Sequence, residues 1–159
     1  LAARWAAGRE RGEEAEMERR LVTQMGRMVP LAQAAGVGIL AGTDASDESY
    51  VFAGSGLHDE LAHLVEAGLT PLQALRAATL NPARYLGAAD SMGTVAAGRT
   101  ADLVVLDANP LEDIHNTMRI FAVVANGRLI DAAERERLLR IAVEEASRSA
   151  TAPPARQDD

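Results

Sequence analysis

The chain contains no cysteine, which excludes disulfides and thiolate metal sites alike. It has no lysine either: every basic residue is arginine and alanine is abundant, the bias of a GC-rich coding sequence. Aromatics make up 3% of the 159 residues, so a core has to be built from Ala, Leu and Val. No apolar run approaches the roughly 20 residues of a membrane-spanning helix. The opening "LAARWAAGRE" and "RGEEAEMERR" lack an apolar h-region and read as a charged helix former, not a signal peptide. A net charge of -7 argues against nucleic acid or an anionic membrane as partner. These absences together describe a soluble, cytoplasmic chain of single-domain length. A start at Leu1 fits a processed chain, an excised piece or a fragment of something longer.

What is present is mostly helical punctuation. Leu21, Val22, Met25, Met28, Val29 and Ala32 form one apolar stripe at helical spacing. Pro30 should kink or split that helix, and Gly36 suits its C-terminal stop. Val37 to Ala41 then reads as a short buried strand. After a loop from Ala45 to Ser55, Leu57, Leu61, Leu64 and Val65 make the apolar face of a helix that Gly68 ends. Thr70, Pro71 and Gln73 spell an N-cap, a proline at the first helical position and a capping box. Asn81 and Pro82 read as a repeat of that device, for a short helix stopping at Gly87.

Near Gly93 the character changes. Leu103 to Leu106 reads as a buried strand, Asn109-Pro110 as a turn, and "IFAVVANGRLID" as two apolar stretches around Asn126-Gly127, a strong hairpin signal. From Ala132 the chain is a charged helix, and "SATAPPARQDD" is expected to be a disordered tail. A lone strand flanked by helices cannot make a sheet, so the first ninety residues look like the closing piece of a larger α/β body.

The stretch "GVGILAGTDASDE" (Gly36 to Glu48) carries the chemical question. An aspartate after a strand is an ordinary turn residue, but in parallel α/β folds ligands sit beyond the carboxyl ends of the strands. Asp44 is therefore either a turn or capping acid or a functional carboxylate. Asp47 and Glu48 read as solvated loop acids, Asp102 as a structural hydrogen-bonding acid. His58 and His63 are five apart, on different helix faces, unlike the i, i+4 pair that ligates zinc. His115 reads as a loop residue.

Four blocks in order, "GVGILAGTDA", "GLHDELAHLVEAGLTPLQALRAATLNPARYLG", "MGTVAAGRTADLVVLDANPLEDI" and "VVANGRLI", resemble the C-terminal part of the metal-dependent amidohydrolase superfamily, in the imidazolonepropionase-like and prolidase-like branch. The resemblance runs from about Met25 to Asp131. It implies an α/β fold: the C-terminal portion of a (β/α)8 TIM barrel over residues 1–90, strands of a small composite β-sandwich over 91–131, then the charged helix and tail of 132–159. Val37 to Ala41 would be the eighth barrel strand, with Leu57 to Ala67 the helix after it.

The resemblance further implies that Asp44 binds the active-site metal, zinc in this family, and acts as general base on the water it activates. Thr43 could orient Asp44, and Thr43, His58 and Ser55 would border the substrate, although a plain surface position is the more ordinary reading of His58. The family's His-x-His, its lysine or acid on the fourth strand and its histidines after the fifth and sixth have no counterpart here. The implied function is hydrolysis of C–N bonds in small cyclic or linear amides, or deamination by the same machinery. The remaining ligands would come from a missing N-terminal barrel portion or a partner chain, and this chain alone would be inactive. The contrasting expectation is a non-catalytic module that pairs with a partner or another copy of itself through the apolar face beside Val37 to Ala41.

Overall fold

The computed structural model describes residues 13–45 and 54–151; Asp47, Glu48, the first twelve residues and the last eight lie outside them. Helix α1 (Glu13–Gly26) and helix α2 (Met28–Ala34) are the expected helix, split at Arg27. Pro30 has no N–H to offer the carbonyl of Gly26, four residues back, so the split falls where the proline places it. Gly36 closes α2 with φ +80, and Val37 N–H bonds Ala32 O at 2.9 Å, the six-to-one bond of a Schellman stop.

Helix α3 (Gly56–Glu66), helix α4 (Pro71–Ala78) and helix α5 (Leu80–Tyr85) follow. The capping box at Thr70 and Gln73 is complete, with Pro71 at the first helical position. The core sits here. Leu61, Ala62, Leu64, Leu69, Ala74 and Ala77 are buried together, with Val29, Ile39, Ala41 and Val65 packed against them. Ile114, from the 3₁₀ helix Ile114–Met118, inserts into the same cluster.

The second layer is a three-stranded antiparallel sheet in the order β1 (Leu103–Leu106), β2 (Ile120–Ala125), β3 (Arg128–Ile130). Asn126 and Gly127 both take positive φ, 52 and 77, as a two-residue hairpin of this handedness requires. Asp102 accepts from Asn126 N–H at 2.5 Å, the structural role expected of it. Helix α6 (Ala132–Thr151) closes the described chain. It packs over β2 and β3, and Arg135 donates to the carbonyl oxygens of Ile120 and Phe121. The helix runs on through Ser149 to Thr151, the first three residues of the stretch expected as tail.

Three apolar segments show what local pattern leaves open, and the third corrects the expectation of a buried strand at Leu103 to Leu106. Val37 to Ala41 pairs with no strand among the described residues, because a strand exists only through a neighbour and none lies beside it. The stripe on α1 and α2 is largely solvent-facing, with Leu21, Met25 and Met28 exposed and Val29 turned to the core. β1 forms where expected but is not buried, since Val104 and Val105 are exposed. Among the described residues there is one sheet, with no second one to cover that face.

Candidate active site

Asp44 lies at the end of a segment that behaves as half a strand. From Gly38 to Asp44 the residues alternate between exposed and half-buried, with Ile39, Ala41 and Thr43 inward and Leu40, Gly42 and Asp44 outward. That is the period of two of an extended chain lying on a surface. One edge is held by the helices: Ala41 N–H bonds Ala77 O at 2.9 Å, and Asn81 Nδ2 donates to Ile39 O at 2.9 Å. The backbone groups of Leu40, on the other edge, find no partner among the described residues.

The Asp44 backbone has φ 48, a left-handed conformation that an L side chain adopts at a cost of about 1–2 kcal/mol. Its side chain projects to the open side. No hydrogen bond joins Thr43 to Asp44; Thr43 is half-buried beneath it. Ser55, exposed, directly precedes α3.

His58 sits in the first turn of α3, half-buried, and Nδ1 lies 3.1 Å from Thr117 Oγ1. The Thr117 hydroxyl is already committed, donating to Ile114 O at 2.8 Å. Thr117 Oγ1 therefore accepts from His58 Nδ1–H. His63 pairs with Glu66 on the surface at 3.1 Å. His115 belongs to the 3₁₀ helix, not a loop, and faces Asp113 at 2.8 Å. The backbone N–H of His115, then its ring, hold the Asp113 carboxyl below its ordinary value. Glu134 is likewise lowered, first by the guanidinium of Arg137.

Sequence reasoning missed Asn81 and Thr117. Asn81 was expected to cap α5, but Thr79 holds the cap position and Asn81 reaches back 42 residues to the Asp44 segment. The available signal was Thr79 itself, a preferred capping residue two positions earlier. Thr117 carried no sequence signal; its role depends on a contact 59 residues away.

Among the described residues no three His, Asp or Glu side chains converge as a metal site. Asp44 supplies one hard oxygen donor, suited to a divalent cation, whereas catalytic zinc takes three protein ligands. The described residues therefore do not form a complete site of that kind by themselves. An open groove of roughly 640 Å³ along β1, from Val95 to Pro110, includes none of the four candidate residues; it is the uncovered sheet.

The amidohydrolase family pattern matches residues 14–130, and the chain belongs to that family. Adenine deaminase 2 of Agrobacterium fabrum is 47% identical over 78 residues, which cover 48% of this chain and 13% of that protein. Adenine deaminase 2 of Rhizobium meliloti is 49% identical over 75 residues, 47% of this chain and 12% of that one. Among solved structures, bottromycin amidohydrolase is similar over 91% of this chain and 32% of its own, with TM-score 0.73 and 30% identity. A Xaa-Pro dipeptidase with methionine bound in its active site matches over 69% of this chain and 25% of its own, with TM-score 0.59 and 30% identity. The chain therefore spans a minor part of the length of each relative.

Proposed function

We propose that this chain carries the general base of a metal-dependent amidohydrolase that cleaves C–N bonds of small cyclic or linear amides, and that Asp44 is that base and one metal ligand. The observation that carries the reading is Asp44's outward, left-handed placement at the end of the Ile39–Ala41 segment. The likeness to bottromycin amidohydrolase over nearly the whole chain supports it. On this reading Val37 to Ala41 is the eighth strand of a (β/α)8 barrel, and the sheet belongs to a composite sandwich. The other ligands come from the rest of the barrel, in the same polypeptide or a partner, and the enzyme works in the cytoplasm.

The metal, zinc on this reading, would be held by Asp44 together with ligands from the rest of the barrel, and would supply the acidity that brings the attacking water's pKa to about 7. Asp44 takes a proton from the attacking water as the C–O bond forms. It returns that proton to the nitrogen as the C–N bond breaks, so the carboxylate ends as it began. Thr43, Ser55 and His58 border the substrate on this reading, with the Nδ1 of His58 engaged by Thr117. The test is Asp44→Asn in the complete gene product. Turnover should fall about 10²–10⁴-fold, the usual worth of a positioned base, with the far-UV circular dichroism unchanged. Activity near the wild-type level would remove Asp44 from the mechanism.

A second reading is favoured by the adenine deaminases, 47% and 49% identical over their matched segments. The same carboxylate would then assist water attack on a ring carbon bearing an exocyclic amine, releasing ammonia. Measuring ammonia from adenine against amine release from N-acyl amino acids and dipeptides with the same preparation separates the two.

A further inference from the structure

We propose that Asn81 is a positioning residue whose side-chain amide fixes the register of the Asp44 segment. The proposal rests on the reading of Asp44 as the base for its functional meaning, but not for its geometry. Asn81 lies inside the first turn of α5, where Thr79 already occupies the cap position and bonds Leu75 O at 2.7 Å. Asn81 spends Nδ2 instead on Ile39 O, at 2.9 Å in a half-buried setting. Two residues on, Ala41 N–H bonds Ala77 O at 2.9 Å. Ala77 is in the last turn of α4, whose carbonyls have no partner within the helix, so the segment satisfies a group the helix leaves open.

Residues i and i+2 of an extended chain present their backbone groups on the same edge. The Ile39 carbonyl and the Ala41 N–H are therefore two pins on one edge, one set by the end of α4 and the other by the start of α5. Register matters because the segment's burial has a period of two. A slip of one residue would turn Thr43 outward and Asp44 down onto the helices. The left-handed backbone at Asp44 also persists only if its surroundings over-determine it. Ala74 and Ala77, both fully buried, keep α4 slim enough for the segment to lie against it. A residue at position 81 without a side-chain donor would leave Ile39 O without this partner.

The test uses this chain in solution NMR, with Asn81→Asp as the informative variant. It is isosteric with asparagine, yet an ionised carboxylate has no proton to donate, whereas a protonated one has. In the wild type we expect a through-hydrogen-bond coupling from the Asn81 side-chain nitrogen to the Ile39 carbonyl carbon. We also expect a strong intraresidue HN–Hα contact at Asp44, the mark of positive φ. In N81D at pH 7 that contact should be lost and the Ala41 amide should exchange about five- to tenfold faster, the loss of about one hydrogen bond. Both signals should return as the N81D carboxyl is protonated.

An N81D variant that keeps wild-type signals at every pH would show that Asn81 fills space only, and would overturn the proposal. So would absence of the coupling in the wild type, which needs no variant to fold. These signals report where the segment lies. They can appear whether or not Asp44→Asn abolishes turnover in the complete protein, so the two ideas fail separately.

Discussion

Leu61, Leu64, Ala74 and Ala77 close on one another in the helical layer and take in Ile114 from the 3₁₀ helix, whereas among the strand residues of the sheet only Ala122 is buried. The contrast follows from shape. A helix has one apolar stripe to hide, and three short helices with a half-strand between them can hide their stripes against each other. A sheet has two faces. Helix α6 lies over β2 and β3, and nothing among the described residues covers Val104 and Val105 of β1. Among the described residues the helical layer thus closes its core and leaves one open edge at Leu40, while the sheet leaves the outer residues of β1 uncovered.

The sharpest way to break this comparison is to remove side chains from each half. Leu61, 4% exposed, should cost about 3 kcal/mol when changed to Ala, within the usual range for a buried leucine. Val104→Ala, at a position 56% exposed, should stay within about 0.5 kcal/mol. Urea unfolding of both variants of this chain measures the difference. Equal costs would show that the sheet face is covered in solution. Repeating Val104→Ala in the complete gene product sharpens the result: a cost rising above about 1 kcal/mol there would show that β1 is covered in the complete protein.

The hinge between the halves comes next in size. Gly93 joins α5 to the sheet with φ +87, and a Cβ built on it would stand 2.7 Å from the Ala83 Cβ and 3.0 Å from Thr79 O. Both the backbone and the space refuse a side chain. Gly93→Ala should cost about 2 kcal/mol from left-handed strain and crowding together, read as a lowered urea midpoint at unchanged slope. A neutral result would mean that the two halves are not braced at this point.

The same comparison explains what could be read from the residues beforehand. The Thr70–Gln73 box, the Pro30 split and the Asn126-Gly127 hairpin are each settled within a few residues, and each formed as expected. Val37 to Ala41 carried the composition of a strand, but pairing is a relation with another segment, and no local pattern supplies one. Exposure at Val104 failed to follow from its apolar run for the same reason. At the candidate site, the ordered blocks around Asp44 singled it out as the candidate carboxylate. Its left-handed backbone, its pin from Asn81 and the commitment of His58 to Thr117 were not, because each depends on contacts formed 30 or more residues away or on the strain those contacts impose.

The smallest predicted effect lies at the seam, where Asp113 starts the 3₁₀ helix that plugs the helical layer. Asp113 accepts from His115 N–H at 2.9 Å and faces the His115 ring at 2.8 Å, and these bonds lower its pKa from the ordinary carboxylate value. A carboxyl whose folded pKa is depressed adds stability above its unfolded pKa and loses it as pH falls through the folded one. The contribution should therefore be intact at neutral pH and disappear in the acid range below about pH 4. Asp113 is open to solvent, so its effect should be local: looser amide protection at Ile114 to Met118, not unfolding. Carboxyl-detected NMR titration should show Asp113 titrating below an ordinary exposed aspartate, with Thr117 and His58 signals shifting in step. If Asp113 titrates at the ordinary value while the 3₁₀ helix stays protected, the Ile114 plug and the Thr117–His58 contact hold this seam without it.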